Sequence, residues 1–411
     1  MSIVKRKGPL AGLRVIELTN VMAGPVAGLL LADMGADVIK VEKLPGGDDT
    51  RRATPPEING ESAAFMMVNR NKRGIVVDLK NAAGVELLKK MIKSSDVVIE
   101  NFRPGTMEKL GLDFPALSAL NPALIYCKIT GFGLTGPYAQ RAGYDLIAQG
   151  MSGLMSLTGE GEGRPPVKVG VPIGDVTAGI LASSGILAAY IERLRTGQGQ
   201  YLDTSLFEAS MIHTYWQMAM AFATGESAGP MGSAHPVAAP YQAMPTKDGW
   251  LNVGAVSQAT WQGLTRAVEL PELLADARFT TNADRMRNRD QLIAILSEAL
   301  AADTTANWVL RFERQGVPAG PVLNMQQVID DPQTAAREMV INVKHPVAGE
   351  IQSLGLPIKF SGGNGVTDRG APLYGEHTLE LLKEFDVSPA EIDALIKANA
   401  VHALVGATEV A

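Results

Sequence analysis

Short apolar runs rich in Val and Ile alternate with longer stretches whose apolar positions recur every three or four residues over the first half of the chain. Leu13–Leu18 (LRVIEL), Asp37–Glu42 (DVIKVE), Arg73–Leu79 (RGIVVDL), Asp96–Asn101 (DVVIEN) and Ala123–Thr130 (ALIYCKIT) read as strands. Between them, GPVAGLLLADMGA and NAAGVELLKKMIKSS carry helical spacing. Strands and helices in this alternation predict an α/β fold built on a mostly parallel, doubly wound sheet. A long helix from about Val176 to Arg195 and a strand in QYLDTSL extend the same layers.

The texture then changes. Ala223–Gln242 is rich in Gly, Ala, Pro and Ser and reads as a linker. A short strand in GWLNVGA precedes helices in SQATWQGLTRAVEL, DQLIAILSEALAA and TANWVLRFERQG, the pattern of a smaller α+β domain. Gly316–Val322 (GVPAGPV) is a second connector. The tail offers a strand candidate, PIKFSG, and a terminal helix, SPAEIDALIKANA. The predicted division is 1–222 for the first part of a large domain, 223–242 for a linker, 243–315 for the small domain, 316–330 for a second linker and 331–411 for the remainder.

A length of 411 residues suits two domains, and 46% hydrophobic with 19% charged residues is globular composition. The net charge of -6 argues against a general nucleic-acid binder. The lone cysteine, Cys127 in LIYCKIT, excludes a disulfide framework and reads as a buried core residue. The N-terminal segment MSIVKRKGPLAGLRVIE has a basic pair without the apolar stretch of a signal peptide. Ile180–Ile191 is too short and too polar to span a bilayer. The expected location is the cytoplasm, with no membrane partner.

Gly131–Gly136 (GFGLTG) follows a strand and matches G-x-G-x-x-G, which would suggest a dinucleotide dehydrogenase. No clean helical periodicity follows it and no acid ends a strand about twenty residues on, so it reads as a tight turn near a site. Gly150–Leu154 (GMSGL) misses the nucleophile elbow at its last position. His213, His235, His345, His377 and His402 are scattered, and no metal site is expected. NRNKRG carries Arg70, Lys72 and Arg73, and Arg51 and Arg52 follow the second strand; taken singly they read as solvated surface. Lys43, Arg103 and Lys109 follow the carboxyl ends of strands, where open α/β sheets bind ligands and cations suit phosphates. Asp175, in VGVPIGDVTAG, precedes the long apolar helix and reads first as its cap.

Five ordered blocks change that reading. GPLAGLRVIELTNVMAGPVAGLLLADMGADVIKVEKLPGGDDTR, NRNKRGIVVDLK, DVVIENFRPGTMEKLG, PALIYCKITGFGLTGPYAQRAGYD and GDVTAGILASSGILAAYIERLRTGQGQ resemble the family III CoA-transferases, and the likeness extends to APLYGEHT near the C-terminus. The group is typified by formyl-CoA transferase and carnitine CoA-transferase. The resemblance implies a Rossmann-like large domain built from both ends of the chain, an inserted smaller domain, and two ring-like subunits interlocked as a homodimer. It implies that Asp175 is a nucleophile, with the helix N-terminus keeping it anionic. It implies coenzyme A, as acyl-CoA substrate, on Met22, Ala23, Lys43, Val77, Asp78, Leu79, Lys80, Asn101, Phe102, Arg103, Lys109, Thr130 and Gly131. Of these, Lys43, Arg103 and Lys109 suit the phosphates, while Val77 and Leu79 suit the adenine.

Departures from the family pattern narrow the activity. α-Methylacyl-CoA racemases of the same fold carry a His where this chain has Tyr144, a poor base at neutral pH. Asp145, next to it, reads as structural. Formyl-CoA transferases carry Gln where this chain has Met22, and a glycine-rich loop that is missing around Thr246–Gly249. Met22 makes the acyl pocket more apolar and suits an acid larger than formate or oxalate, such as a dicarboxylate. The expected activity is transfer of CoA from an acyl-CoA to a free carboxylic acid. Its rivals are the racemase and a non-catalytic CoA-binding protein. His235, Tyr241 and Gln242 read as linker packing with a possible second role at the acyl pocket.

Overall fold

Strands buried on both faces need apolar side chains at odd and even positions alike. β1 (Arg14–Leu18), β2 (Asp37–Glu42), β3 (Arg73–Val77), β4 (Val97–Glu100) and β5 (Ile125–Thr130) meet that requirement and are buried at every position. The computed structural model describes residues 7–404 apart from positions 364, 366 and 368; the basic pair of the N-terminal segment, Lys5-Arg6, lies outside them. β6 (Tyr201–Ser205) forms one edge of the sheet and Val401–His402 the other, in the order Val401–His402, β3, β2, β1, β4, β5, β6. Every pairing is parallel except that of Val401–His402 with β3. The chain therefore starts in the middle of the sheet, winds outwards through β2 and β3, and reverses between β1 and β4.

The sheet is flanked by helices that include α1 (Ala23–Asp33), α2 (Ala82–Lys93), α3 (Asp145–Met151) and α4 (Ile173–Thr196). Val15, Val38, Val97 and Ile125 point into one layer with Ala27 and Leu31 of α1 and Ala178, Ala182 and Ile186 of α4; Cys127 is in the same core. Ile16, Ile39, Ile75 and Val98 point the other way, onto Leu88 and Met91 of α2 and onto Leu381, Leu382 and Ile392 from the C-terminal helices. The strand expected over Arg73–Leu79 stops at Val77, because the Asp78 N–H bonds the Ala400 carbonyl and its carboxylate accepts the Lys80 N–H, turning the chain into α2. α4 is longer than the sequence suggested: its 24 residues are long and apolar enough to cross a membrane, yet Ala178, Ala182, Ile186 and Ala189 are packed in the sheet core. Gly197, at φ 72°, ends it.

The cations of NRNKRG are not the solvated surface that the sequence suggested. Arg70, Lys72 and Arg73 are at most 3% exposed. Each meets an acid supplied by a neighbouring element: Arg70 pairs with Asp33, Lys72 with Glu17 at 2.8 Å, and Arg73 with Asp37 at 2.6 Å and Glu384 at 2.6 Å. A buried charge needs such a partner to offset its desolvation.

The chain divides into two compact units, one of residues 1–154, 168–218 and 333–411, the other of 155–167 and 219–332. The second has an antiparallel sheet of β7 (Tyr241–Pro245), β8 (Trp250–Gly254) and β9 (Ala319–Pro321), with β8 central. Its core collects Trp261, Phe279, Leu292, Trp308 and Phe312. β9 lies in the stretch read as a connector; a proline is tolerated there because the strand is an edge. Residues 155–167, read as part of the large domain, belong to this unit. In the first unit, the strand expected at PIKFSG is absent; Pro357 supplies no ladder N–H, and Val340–His345 instead pairs with Gly349–Leu354.

Candidate active site

Between β1 and β4 the winding reverses, and loops leaving the carboxyl ends of the two strands diverge to leave a crevice. A cavity of about 400 Å³ occupies this place. Its wall takes Val21, Met22 and Ala23 from the loop after β1, Asn101–Pro104 from the loop after β4, Thr130 and Gly131 from the end of β5, Arg141–Tyr144 from the approach to α3, and Asp175 from α4.

Asp175 is the third residue of α4 rather than its cap. Pro172 occupies the capping position and offers no side-chain acceptor, so the carboxylate is free for other work. Asp145, at the start of α3, fixes the turn that carries it. Its Oδ1 accepts the Gly174 N–H at 2.8 Å, and its Oδ2 accepts Gln149 Nε2 at 2.6 Å. A Cβ on Gly174 would stand 2.5 Å from Ser210 Oγ and 3.1 Å from Asp145 Oδ1, so only glycine allows this approach. Burial and then the charge of Asp145 push the Asp175 pKa up to about 6. The group stays mostly ionised at neutral pH, as a nucleophilic carboxylate must.

The loop after β1 is held in a costly shape. Val21 has φ 71°, a region that β-branched residues avoid. Asp48 Oδ1 accepts its N–H at 3.2 Å, and the Asn101 side chain clips Asn20 from the other side, bonding both its N–H and its carbonyl at 2.9 Å. Behind the loop runs a fully buried ion chain: Asp48 to Lys40 at 2.8 Å, Lys40 to Glu17 at 3.1 Å, Glu17 to Lys72 at 2.8 Å. Burial opposes the ionised form of Asp48, but Lys40 and the Thr50 N–H hold its carboxyl well below the usual range. Burial pushes Lys72 down to about 8 against the pull of Glu17. The first turn of α1, which no side chain caps, begins on this loop at Met22 and Ala23, so N–H donors stand at the cavity wall.

On the opposite wall two backbones cross. A Cβ on Gly131 would lie 2.7 Å from the Gly143 Cα, and the Gly131 carbonyl accepts the Phe207 N–H at 3.0 Å. Gly131 thus belongs to the cavity wall as expected for GFGLTG as a turn, and no helix follows it until α3.

Of the residues singled out in the sequence, Met22, Ala23, Asn101, Phe102, Arg103, Thr130, Gly131 and Asp175 line this one cavity. Asn101 spends its amide on Asn20 and so shapes the wall rather than offering its side chain to a ligand. Lys43 stands off the wall and pairs with Asp49 at 2.7 Å; Asp49 lines the wall itself. Val77 is core, with Leu79 packed partly against it. Asp78 is spent on the turn, and Lys80 and Lys109 are exposed away from the cavity wall. His235 and Tyr241, in the second unit, pack on each other with rings 5.1 Å apart and a backbone bond of 3.0 Å. Sequence reasoning passed over Arg141; the signal was a cation in the loop that leads to Asp145. Among the described residues no group of three His, Cys, Asp or Glu converges to hold a metal.

Residues 10–378 match the family described as CoA-transferase family III. The chain is 40% identical over 377 residues to the succinyl-CoA:glutarate CoA-transferase of Mus musculus, spanning 92% of this chain and 86% of that one. It is 40% identical over 387 residues to the succinate–glutarate CoA-transferase of Agrobacterium fabrum, spanning 93% and 96%. Among solved structures, a CAIB/BAIF family protein from Brucella suis is similar with a TM-score of 0.83 at 42% identity, spanning 92% of this chain and all of that one.

Proposed function

The chain belongs to CoA-transferase family III, and from that membership we propose that Asp175 is its nucleophile, in transfer of CoA from an acyl-CoA to a free carboxylic acid. The observation that carries the assignment is a half-buried carboxylate, in the first turn of α4, that points into the crevice and is free of any capping duty.

A carboxylate oxygen of Asp175 attacks the thioester carbonyl carbon, the C–S bond breaks, and CoA leaves as thiolate. The mixed anhydride left on Asp175 is then attacked by the thiolate at the aspartyl carbonyl. The donor acid leaves as carboxylate and an enzyme–CoA thioester remains. The acceptor acid runs the same steps in reverse, so no proton is consumed and Asp175 is regenerated. Each addition places negative charge on a carbonyl oxygen, which the N–H donors at the start of α1 are placed to receive. A pKa near 6 makes Asp175 a better nucleophile than an ordinary aspartate while leaving it ionised at neutral pH.

The acids named for the two relatives, succinate and glutarate, are short dicarboxylates, and the same class is the proposed substrate here. It agrees with Met22 at the cavity wall. Arg103, at the exposed edge of the cavity wall, is proposed for the CoA phosphates. Exposed apolar side chains on α4 (Ile180, Ile191, Leu194) and at Tyr215, Trp216 and Phe222 support the proposal that a second copy covers them.

The test is to incubate the protein with succinyl-CoA and a mixture of free carboxylic acids and follow new acyl-CoA masses by liquid chromatography–mass spectrometry. Formation of glutaryl-CoA by wild type and not by Asp175→Asn is the expected result. Exchange of an α-proton without transfer would return the racemase reading and remove Tyr144 as an argument against it.

A further inference from the structure

Whichever end of a dicarboxylic acid reacts at Asp175, its other carboxylate enters a partly closed cavity that already holds Asp175 and backs onto Asp145. An unpaired charge there is costly. The loop between β5 and α3 carries a single cation, Arg141. Unlike Arg51, Arg70 and Arg73, Arg141 has no carboxylate within ion-pair distance among the described residues. It lines the cavity, with its guanidinium carbon 4.1 Å above the Tyr138 ring. Tyr138 in turn meets Phe132 edge-on at 5.8 Å, and Phe132 is buried against Phe207. The guanidinium is thus shelved on an aromatic stack, its fork of donors unspent.

Its chain position sets which end of the cavity it serves. Two residues on, Gly143 crosses Gly131; four residues on, Asp145 bonds the Gly174 N–H beside Asp175. Arg103, the other cavity arginine without a carboxylate partner among the described residues, belongs to the β4 loop instead. We infer that Arg141 receives the second carboxylate of a short dicarboxylic acid whose first carboxylate reacts at Asp175, which makes it the residue that selects diacids over monoacids. The inference rests on the CoA-transfer reading above.

The experiment compares wild type, Arg141→Met and Arg141→Lys with glutarate and with pentanoate as acceptor, using butyryl-CoA and succinyl-CoA as donors. Wild type is expected to favour glutarate in kcat/KM by on the order of 100-fold, the range of a charge-assisted hydrogen-bond pair. Arg141→Met brings that ratio close to one by losing glutarate, with pentanoate and the butyryl-CoA half-reaction kept; Arg141→Lys recovers part of it. A ratio unchanged in Arg141→Met overturns the inference. So does an equal loss with both acids and with butyryl-CoA, which would place Arg141 on CoA. Wild type transferring CoA to neither acid would instead refute the transfer reading. Calorimetric titration of both acids then decides the role of Arg141: glutarate-selective binding lost in Arg141→Met upholds it, and non-selective or absent binding by wild type overturns it.

Discussion

Replacing Asp145 by asparagine tests the electrostatics of the site most directly. The amide keeps an oxygen for the Gly174 N–H, now bonded at 2.8 Å, so the turn that carries Asp175 is retained. What goes is the acceptor for Gln149 Nε2 and, above all, the negative charge, the second cause, after burial, of the rise of the Asp175 pKa to about 6. Burial is the larger cause and stays, so the midpoint is expected to fall by about half a pH unit, on the order of 0.7 kcal/mol of repulsion. At pH 5, the ionised fraction rises from about a tenth to about a quarter. The assay is kcat/KM for the acyl-CoA donor from pH 4.5 to 8, for wild type and Asp145→Asn with the same acids. Substrate ionisation then cancels in the difference between the two profiles, and kcat/KM reports the free enzyme. The acid limb of the variant should sit lower, and its plateau should drop because a less basic carboxylate is a weaker nucleophile. An acid limb at the wild-type position, or above it, would refute the coupling between the two aspartates.

The same raised pKa has a consequence for stability. A carboxyl whose folded pKa is raised to about 6 contributes stability at pH values below the ordinary aspartate value, and this is lost as pH rises through 6. Asp175→Asn should therefore melt above wild type at pH 8, by the equivalent of about 1–2 kcal/mol after allowing for partial exposure, and level with it near pH 4. Lys40→Met leaves Glu17 and Asp48, both fully buried, without their shared cation. Denaturant titration should show a loss of about 3–5 kcal/mol. Gly131→Ala drives a methyl to 2.7 Å from the Gly143 backbone, and should cost about 1–3 kcal/mol in chemical denaturation together with most of the transfer activity.

The sheet was legible because its strands carry the Val- and Ile-rich runs that burial on both faces demands, and the helices between them the matching spacing. Boundaries moved where a side chain outside the pattern took a backbone partner, as Asp78 does when it turns the chain after Val77. The charges of NRNKRG misled because local sequence does not show that Asp33, Glu17 and Asp37 arrive from other elements to meet them. Resemblance picked out eight residues of the cavity wall, but local sequence does not show which side chains are already bonded within the fold. Asn101 is spent on Asn20, and Asp78 on its own turn. β9 was hidden because a Gly- and Pro-rich strand at a sheet edge has the composition of a loop.

Asp175 is anchored to a rod. α4 is 24 residues long, about 36 Å at the usual helical rise, and its far end is tied down by Arg193, which bonds Asp96 at 2.8 Å. On the proposed mechanism, the thioester and the carboxylates must therefore be brought to a stationary nucleophile. Any opening that admits substrate between half-reactions falls to the loops that carry Arg103 and Arg141. Amide hydrogen exchange should reflect this division, with slow exchange through the body of α4 and fast, ligand-sensitive exchange in the 101–104 and 138–144 segments. In a ping-pong cycle, a fixed nucleophile also means that donor and acceptor are judged in the same mould, so that a change in one acid preference carries over to the other.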